Sequence, residues 1–274
     1  MPLIDFHVHA APARLWNPWV NEYFELSNPD FLRRFYDTLT PQEFNDFLIA
    51  EGIDYAVCLA EYAPKATGVV TNEFLSEFCR DYDRLIPFGS ICMYEGPEPA
   101  AQVEHCVKTL GCRGLKLLPS YQHFYPNDPR LMPAYETAQS LKIPIMFHTG
   151  TSIFKGTRIK YADPLLLDDI ADNFPELVII MCHGGRPFWY GQAEWMLRRH
   201  KNVYIDLSGI PLKKIPEIYP HFEKLCHKFV FGSDWPTFSS ISRLADVLRK
   251  LNLSEEALEA ILWKNAARLL GLNL

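Results

Sequence analysis

The chain has 274 residues, 48% of them hydrophobic, with a formal net charge of −6 and a pI near 5.9. That length and apolar content suit one large α/β core, so residues 1–274 read as a single domain, and an acidic chain without a basic face disfavours nucleic acid as a partner. Seven cysteines without a C-x-x-C pair read as reduced thiols, and neither a basic, apolar leader nor an apolar run of about 18 residues is present; the expectation is a cytoplasmic protein acting on a small molecule, off the membrane, with a homodimer as the default assembly.

Short β-rich runs alternate with helical patterns along the whole chain. Leu3–His9 is the first run. Ala11–Leu39, rich in Trp, Pro, Phe and Asn, lacks a clear period and reads as a long irregular loop. Thr40 is a good N-cap for a helix over Pro41–Glu51, which Gly52 stops. Tyr55–Glu61 and Ile86–Met93 are the second and third runs, followed by a helix over Pro99–Leu110 that ends at Gly111. Gly114–Leu118, a loop over Tyr121–Pro129, a helix over Arg130–Leu141, and Ile143–Thr149 come next. Val178–His183, Val203–Ser208 and Phe229–Asp234 complete eight runs, and helices opening at Ser254 and spanning Ile261–Leu270 close the chain before Gly271. Most runs are continuously apolar, as strands are when covered on both faces, and eight β-α units predict a closed (β/α)8 barrel.

Chemistry-bearing residues collect where these runs end. His7 and His9 stand two apart, so they share a strand face and can converge on one divalent cation. A lone His-x-His pair is a weak signal, but His148 closes the fifth run, His183 the sixth and Asp234 the eighth. Strand C-termini are where barrel enzymes gather catalytic groups, and nitrogen and oxygen donors in this mix suit Zn²⁺ or a similar ion.

Seven segments make the set recognisable: Ile4-Asp5-Phe6-His7-Val8-His9, Gly114-Leu115-Lys116-Leu117, Phe147-His148-Thr149-Gly150, Cys182-His183-Gly184-Gly185, Tyr204-Ile205-Asp206-Leu207-Ser208, Phe231-Gly232-Ser233-Asp234-Trp235-Pro236 and Asn265-Ala266-Ala267-Arg268-Leu269-Leu270. In this order they resemble the amidohydrolase superfamily. The narrower likeness is to its amidohydrolase-related branch, which holds aminocarboxymuconate-semialdehyde-decarboxylase-like enzymes, aromatic-acid decarboxylases and lactonases. The resemblance implies a TIM barrel in which His7, His9 and His148 are metal ligands and Asp234 is both ligand and base. It makes His183 either a second-metal ligand or a polarising acid beside one metal. Lys116 falls where binuclear members bridge two metals with a carboxylated lysine; the single-metal pattern is the expectation here.

Water activated by the metal, with Asp234 as base, predicts hydrolysis of a lactone, ester or amide. The alternative is non-oxidative decarboxylation of a small unsaturated or aromatic acid; a non-catalytic metal-binding protein is the remote third reading. A carboxylated substrate needs a cationic partner, and Arg186, three residues beyond His183, is the candidate clamp. Trp189, Tyr121 and His123, with Trp16, Trp19 and Tyr190, are candidates for an aromatic pocket. Glu61 and Asp206 are candidate hydrogen-bond partners of metal ligands.

Overall fold

The computed structural model describes residues 1–274. Each of the eight predicted runs forms a strand: β1 (Ile4–Val8), β2 (Tyr55–Leu59), β3 (Leu85–Gly89), β4 (Gly114–Leu117), β5 (Ile145–His148), β6 (Ile179–Cys182), β7 (Val203–Asp206) and β8 (Phe229–Val230). They pair in parallel in chain order. The amide of Phe6 donating to the carbonyl of Phe231, and that of His9 to Trp235, each at 2.8 Å, bring the end of the chain back to β1. The result is a (β/α)8 barrel, as predicted.

Alternation along the strands builds two apolar layers. Ile4, Phe6, Val57, Ile86, Met146 and Ile180 fill the barrel interior, whereas Ile145, Phe147, Ile179, Met181, Phe229 and Phe231 face the helices. Each such side chain contributes about 1.5–3 kcal/mol on burial, which makes this double layer the main driving force for closure.

The helices follow the predicted caps. A reciprocal capping box between Thr40 and Glu43 opens the helix Pro41–Ala50, and Gly52, Gly111 and Gly271 each take the left-handed conformation that ends a helix. The segment expected to be irregular, Ala11–Leu39, instead holds two helices, α1 (Pro18–Ser27) and α2 (Pro29–Phe35). Each starts with proline in its first turn. Their apolar residues Val20, Phe24, Phe31 and Phe35 join the main core, so burial by tertiary contacts decides a helical state that the polar and proline-rich local pattern obscures. A hairpin of Glu61–Ala63 and Gly68–Val70 was not anticipated either; it takes Glu61 off the end of β2 and places it over the barrel mouth.

Candidate metal centre and active site

The histidines reach the barrel mouth by a change of phase. Ile4 and Phe6 point inward and Val8 outward, and the register against β2 shifts between Asp5 and Val8. Through that shift His7 and His9 also face the inner cavity. On β4, Gly114 and Lys116 face inward, because a side chain at 114 would strike the interior ring of Phe88. On β6 the inward position belongs to Cys182, and His183 enters the cavity only because its backbone turns left-handed at φ 64°. Asp234 does the same after β8 at φ 62°. Such conformations cost on the order of 1–3 kcal/mol each and persist where surrounding contacts impose them.

His7, His9, His148, His183, Lys116 and Asp234 line one cavity, together with Arg186, Glu61 and Tyr121. His7 Nε2 is 3.3 Å and His9 Nε2 3.4 Å from Asp234 Oδ1, and the three residues offer donor atoms within 4.8 Å of one another. His148 lies outside that tight trio, yet it faces the same cavity, its ring edge-on to His183 at 4.7 Å, and its buried Nε2 has no protein partner. Three convergent donors and an orphaned imidazole nitrogen fit a divalent ion.

Behind the rim sits a layer of hydrogen bonds. His7 Nδ1 donates to Asp206 Oδ2 at 2.5 Å, which turns Nε2 toward the cavity. His9 Nδ1 lies 3.3 Å from Glu61 Oε2, and Thr67 donates its hydroxyl to the other Glu61 oxygen. His183 Nδ1 donates to the Ser208 carbonyl at 2.9 Å, while the Ser208 hydroxyl donates to Asp206 at 2.8 Å. Both Glu61 and Asp206 thus occupy the supporting positions anticipated for them. Ser208 and Thr67 were not singled out; a serine or threonine has no period or spacing that marks it as a partner of a distant carboxylate.

The electrostatics differ from one side of the centre to the other. Burial opposes ionisation of Asp234, but His7, His9, His183 and Arg186 outweigh it and hold the carboxyl well below its usual range. Burial likewise lowers the proton affinity of His9, yet Asp234 and Glu61 prevail and push it up to about 9. A cation on His9 Nε2 would benefit from the same two carboxylates. His148 and His183 are driven well below the usual histidine value, first by burial and then by Lys116 and Arg186 for His148 and by Arg186 for His183, so both rings are neutral and able to accept.

Lys116 is inward and buried, without a carboxylate partner; its ammonium donates to His7 Nε2 at 3.1 Å and to Cys182 Sγ at 3.2 Å. Arg186 extends along Gly209, whose left-handed backbone favours glycine and whose missing side chain leaves room for the guanidinium in this position. Its Nη1 is 3.9 Å from Asp234 Oδ2, and its side chain makes no hydrogen bond within the protein.

The predicted aromatic pocket is partly corrected. Tyr121 and Trp16 line the cavity, Tyr121 lying edge-on to His148 at 4.7 Å. Trp189 does not: it packs beside Gly185 and Phe188, because the turn after His183 directs only Arg186 inward. His123 faces a neighbouring cleft, held there by a 2.6 Å hydrogen bond to the Gly156 carbonyl. Trp19 donates to the Ala66 carbonyl, and Tyr190 packs on Tyr219, both outside the cavity. Val20 and Phe24 of α1 and Phe154 supply apolar wall instead.

Against known proteins, the model of the amidohydrolase family matches residues 4–272. A TIM-barrel protein from Bordetella bronchiseptica is 23% identical over 99% of both chains, with a TM-score of 0.80. A 2,6-dihydroxybenzoate decarboxylase from Rhizobium is 19% identical over 99% of both chains, with a TM-score of 0.72. A dihydroxybenzoic acid decarboxylase from a Polaromonas species, with bound manganese and the inhibitor 2-nitroresorcinol, is 20% identical over 100% of this chain and 98% of its own, with a TM-score of 0.73. At these identities the structural likeness is one of fold.

Proposed function

This chain belongs to the amidohydrolase family, and from that premise we propose that it is a metal-dependent decarboxylase releasing CO₂ from a small aromatic or unsaturated carboxylic acid. The observation that carries the proposal is Arg186, a guanidinium held at the cavity wall beside Asp234 with no hydrogen-bond acceptor of its own. Its fork matches a carboxylate in two parallel bonds. The two dihydroxybenzoate decarboxylases among the structural neighbours support this reading over hydrolysis, the reaction first expected.

His7, His9 and Asp234, with His148 as a further donor, would hold a divalent cation that supplies Lewis acidity toward substrate oxygens. Manganese is the ion bound by the Polaromonas enzyme, and zinc also suits the donor set. The chain's own groups do the rest. Arg186 binds and orients the carboxylate, and Val20, Phe24 and Phe154 give the cavity its apolar wall. His183, its Nδ1 committed to Ser208, presents Nε2 as an acceptor for a substrate hydroxyl. The carbon–carbon bond breaks, its electron pair stays on the substrate carbon, and that carbon takes a proton that Asp234, ionised at rest, relays from water, so that R–COO⁻ and H⁺ become R–H and CO₂.

The test is to supply the manganese- or zinc-loaded protein with hydroxybenzoates, unsaturated acids, lactones and esters while recording CO₂ and acid release. We expect CO₂ from the acids alone. Acid release from a lactone or ester without CO₂ from any acid would overturn the proposal in favour of hydrolysis. Arg186→Gln should raise KM about 10- to 100-fold, as loss of a charge-assisted pair does.

A further inference from the structure

Three of the hollows in the molecule lie at or beside the barrel mouth. The innermost, bounded by the histidines and Asp234, offers about 50 Å³. At roughly 10–15 Å³ for each enclosed water, that is room for a carboxylate and a few waters, and too little for a ring. An outer chamber of about 260 Å³ adjoins it, and a cleft of about 390 Å³ lies to one side.

We propose that the outer chamber is a binding subsite for the flat, apolar body of a monocarboxylic acid whose carboxylate turns inward onto Arg186. The inference rests on the clamp role given to Arg186 above. Continuity favours this chamber: it shares Phe154, Arg186, Asp234 and Thr237 with the inner cavity, whereas the side cleft shares only Tyr121. A molecule anchored at Arg186 therefore extends into the chamber without passing another wall.

The lining sets the chemical class. Tyr23, Ile153, Phe154 and Phe238 form the apolar side of a lining that Thr151, Ser152, Gly209 and Thr237 complete, and Ile153 and Phe238 are 75% and 42% exposed. A planar ring between them covers surface that the protein leaves wet, and it meets Phe154, which is itself braced edge-on by Tyr23 at 5.6 Å. Arg186 and Asp234 are the only charged residues of the chamber. With Arg186 engaged, a second carboxylate at the far end of the body would find no further cationic side chain in the chamber. The side cleft offers what the chamber lacks: Lys65 and Arg158 line it without an ion-pair partner, beside Tyr62, Tyr94 and Tyr161 and a single carboxylate, Glu95, that accepts from the Tyr62 hydroxyl. Charge thus separates the two hollows, monoanions belonging to the chamber.

The test uses binding by calorimetry to the full-length, manganese-loaded protein, so its outcome is independent of whether the enzyme decarboxylates or hydrolyses. The probes are 2-naphthoate, naphthalene-2,6-dicarboxylate and acetate. We expect 2-naphthoate to bind at least tenfold more tightly than the dicarboxylate, and Ile153→Ser and Phe238→Ser each to weaken it about five- to tenfold while leaving acetate unchanged, as loss of apolar contact at exposed positions would. Arg158→Ala should leave 2-naphthoate unaffected. Equal affinity for the dicarboxylate, unchanged naphthoate binding in both serine variants, or a tenfold loss in Arg158→Ala would overturn the subsite. Loss of all three probes in Arg186→Gln supports the clamp on which it depends; unchanged binding there would remove that clamp and the subsite together.

Discussion

Asp206 lies at the end of β7, 199 residues from His7, and its carboxylate receives the His7 Nδ1 proton at 2.5 Å. Burial alone would raise its proton affinity, but the His7 charge and hydrogen bond outweigh that and keep the carboxyl below its usual value, so the acceptor is ionised. An ionised partner makes His7 Nε2 a better donor to a cation and locks the ring in place. Asp206→Asn preserves size and removes the charge; divalent-ion affinity, read by chelator competition, should fall about 10- to 100-fold with the far-ultraviolet circular dichroism unchanged. Unaltered affinity would reduce Asp206 to a packing residue. At this scale the sequence was informative about donors and nearly silent about their supports. His7, His9, His148 and Asp234 announce themselves because their side-chain chemistry recurs at strand ends. Ser208 does not, since its role exists only once the ends of β1, β6 and β7 converge at the barrel mouth. Trp189 shows the converse, a residue chosen by proximity in sequence that a turn at Gly184 and Gly185 carries away from the cavity.

Helices α1 and α2 meet at Asn28, which is buried and works in two directions. Its Oδ1 accepts from the Phe31 amide to cap α2, and its Nδ2 donates to the carbonyl of Pro236 at 2.9 Å. The cap thereby ties the excursion after β1 to the loop that carries Asp234. Asn28→Ala should cost about 1–3 kcal/mol, the cap plus an unsatisfied carbonyl, and should lower kcat as well as the urea midpoint because the Asp234 loop loses its brace. A normal kcat at full folding would uncouple the two. On the outer surface Asp168, at the start of the helix Asp168–Asn173, accepts from His200 Nε2 at 2.6 Å and Arg199 Nε at 2.8 Å, joining it to the end of the helix Tyr190–Arg199. The His200 bond is the main reason its carboxyl is held below the usual value. A lowered carboxyl contributes stability above the unfolded value of about 3.9 that is lost as pH falls through the folded one. Asp168→Asn should therefore lower the urea midpoint slightly at pH 7, in keeping with an exposed pair, and the gap should close toward pH 3. A gap that widens in acid would contradict the assignment.

The whole barrel converges on one charged centre, so ion binding and folding are coupled. A cation in hundredfold excess over its Kd adds about 2.7 kcal/mol, or roughly 5–10 °C in Tm for a chain of this length. Chelation of the loaded protein should lower Tm by that amount, and readdition of manganese or zinc should restore it; an unchanged Tm would mean that the histidines hold no ion. No helix is long and apolar enough to cross a membrane.

What the sequence alone determined is the architecture and the rim of the site. Eight continuously apolar runs separated by helical patterns are a local, periodic signal, and burial on both strand faces writes it directly into residue choice. The metal-ligand candidates shared that legibility because each closes such a run. The tertiary structure alone decided that Ala11–Leu39 holds two helices, that Glu61 sits on a hairpin over the mouth, that Arg186 lies along Gly209 beside Asp234, and that a small inner cavity opens into a chamber with Tyr23, Ile153, Phe154 and Phe238 on one side. These features depend on contacts between segments up to 200 residues apart and on single left-handed backbone turns, neither of which leaves a period along the chain.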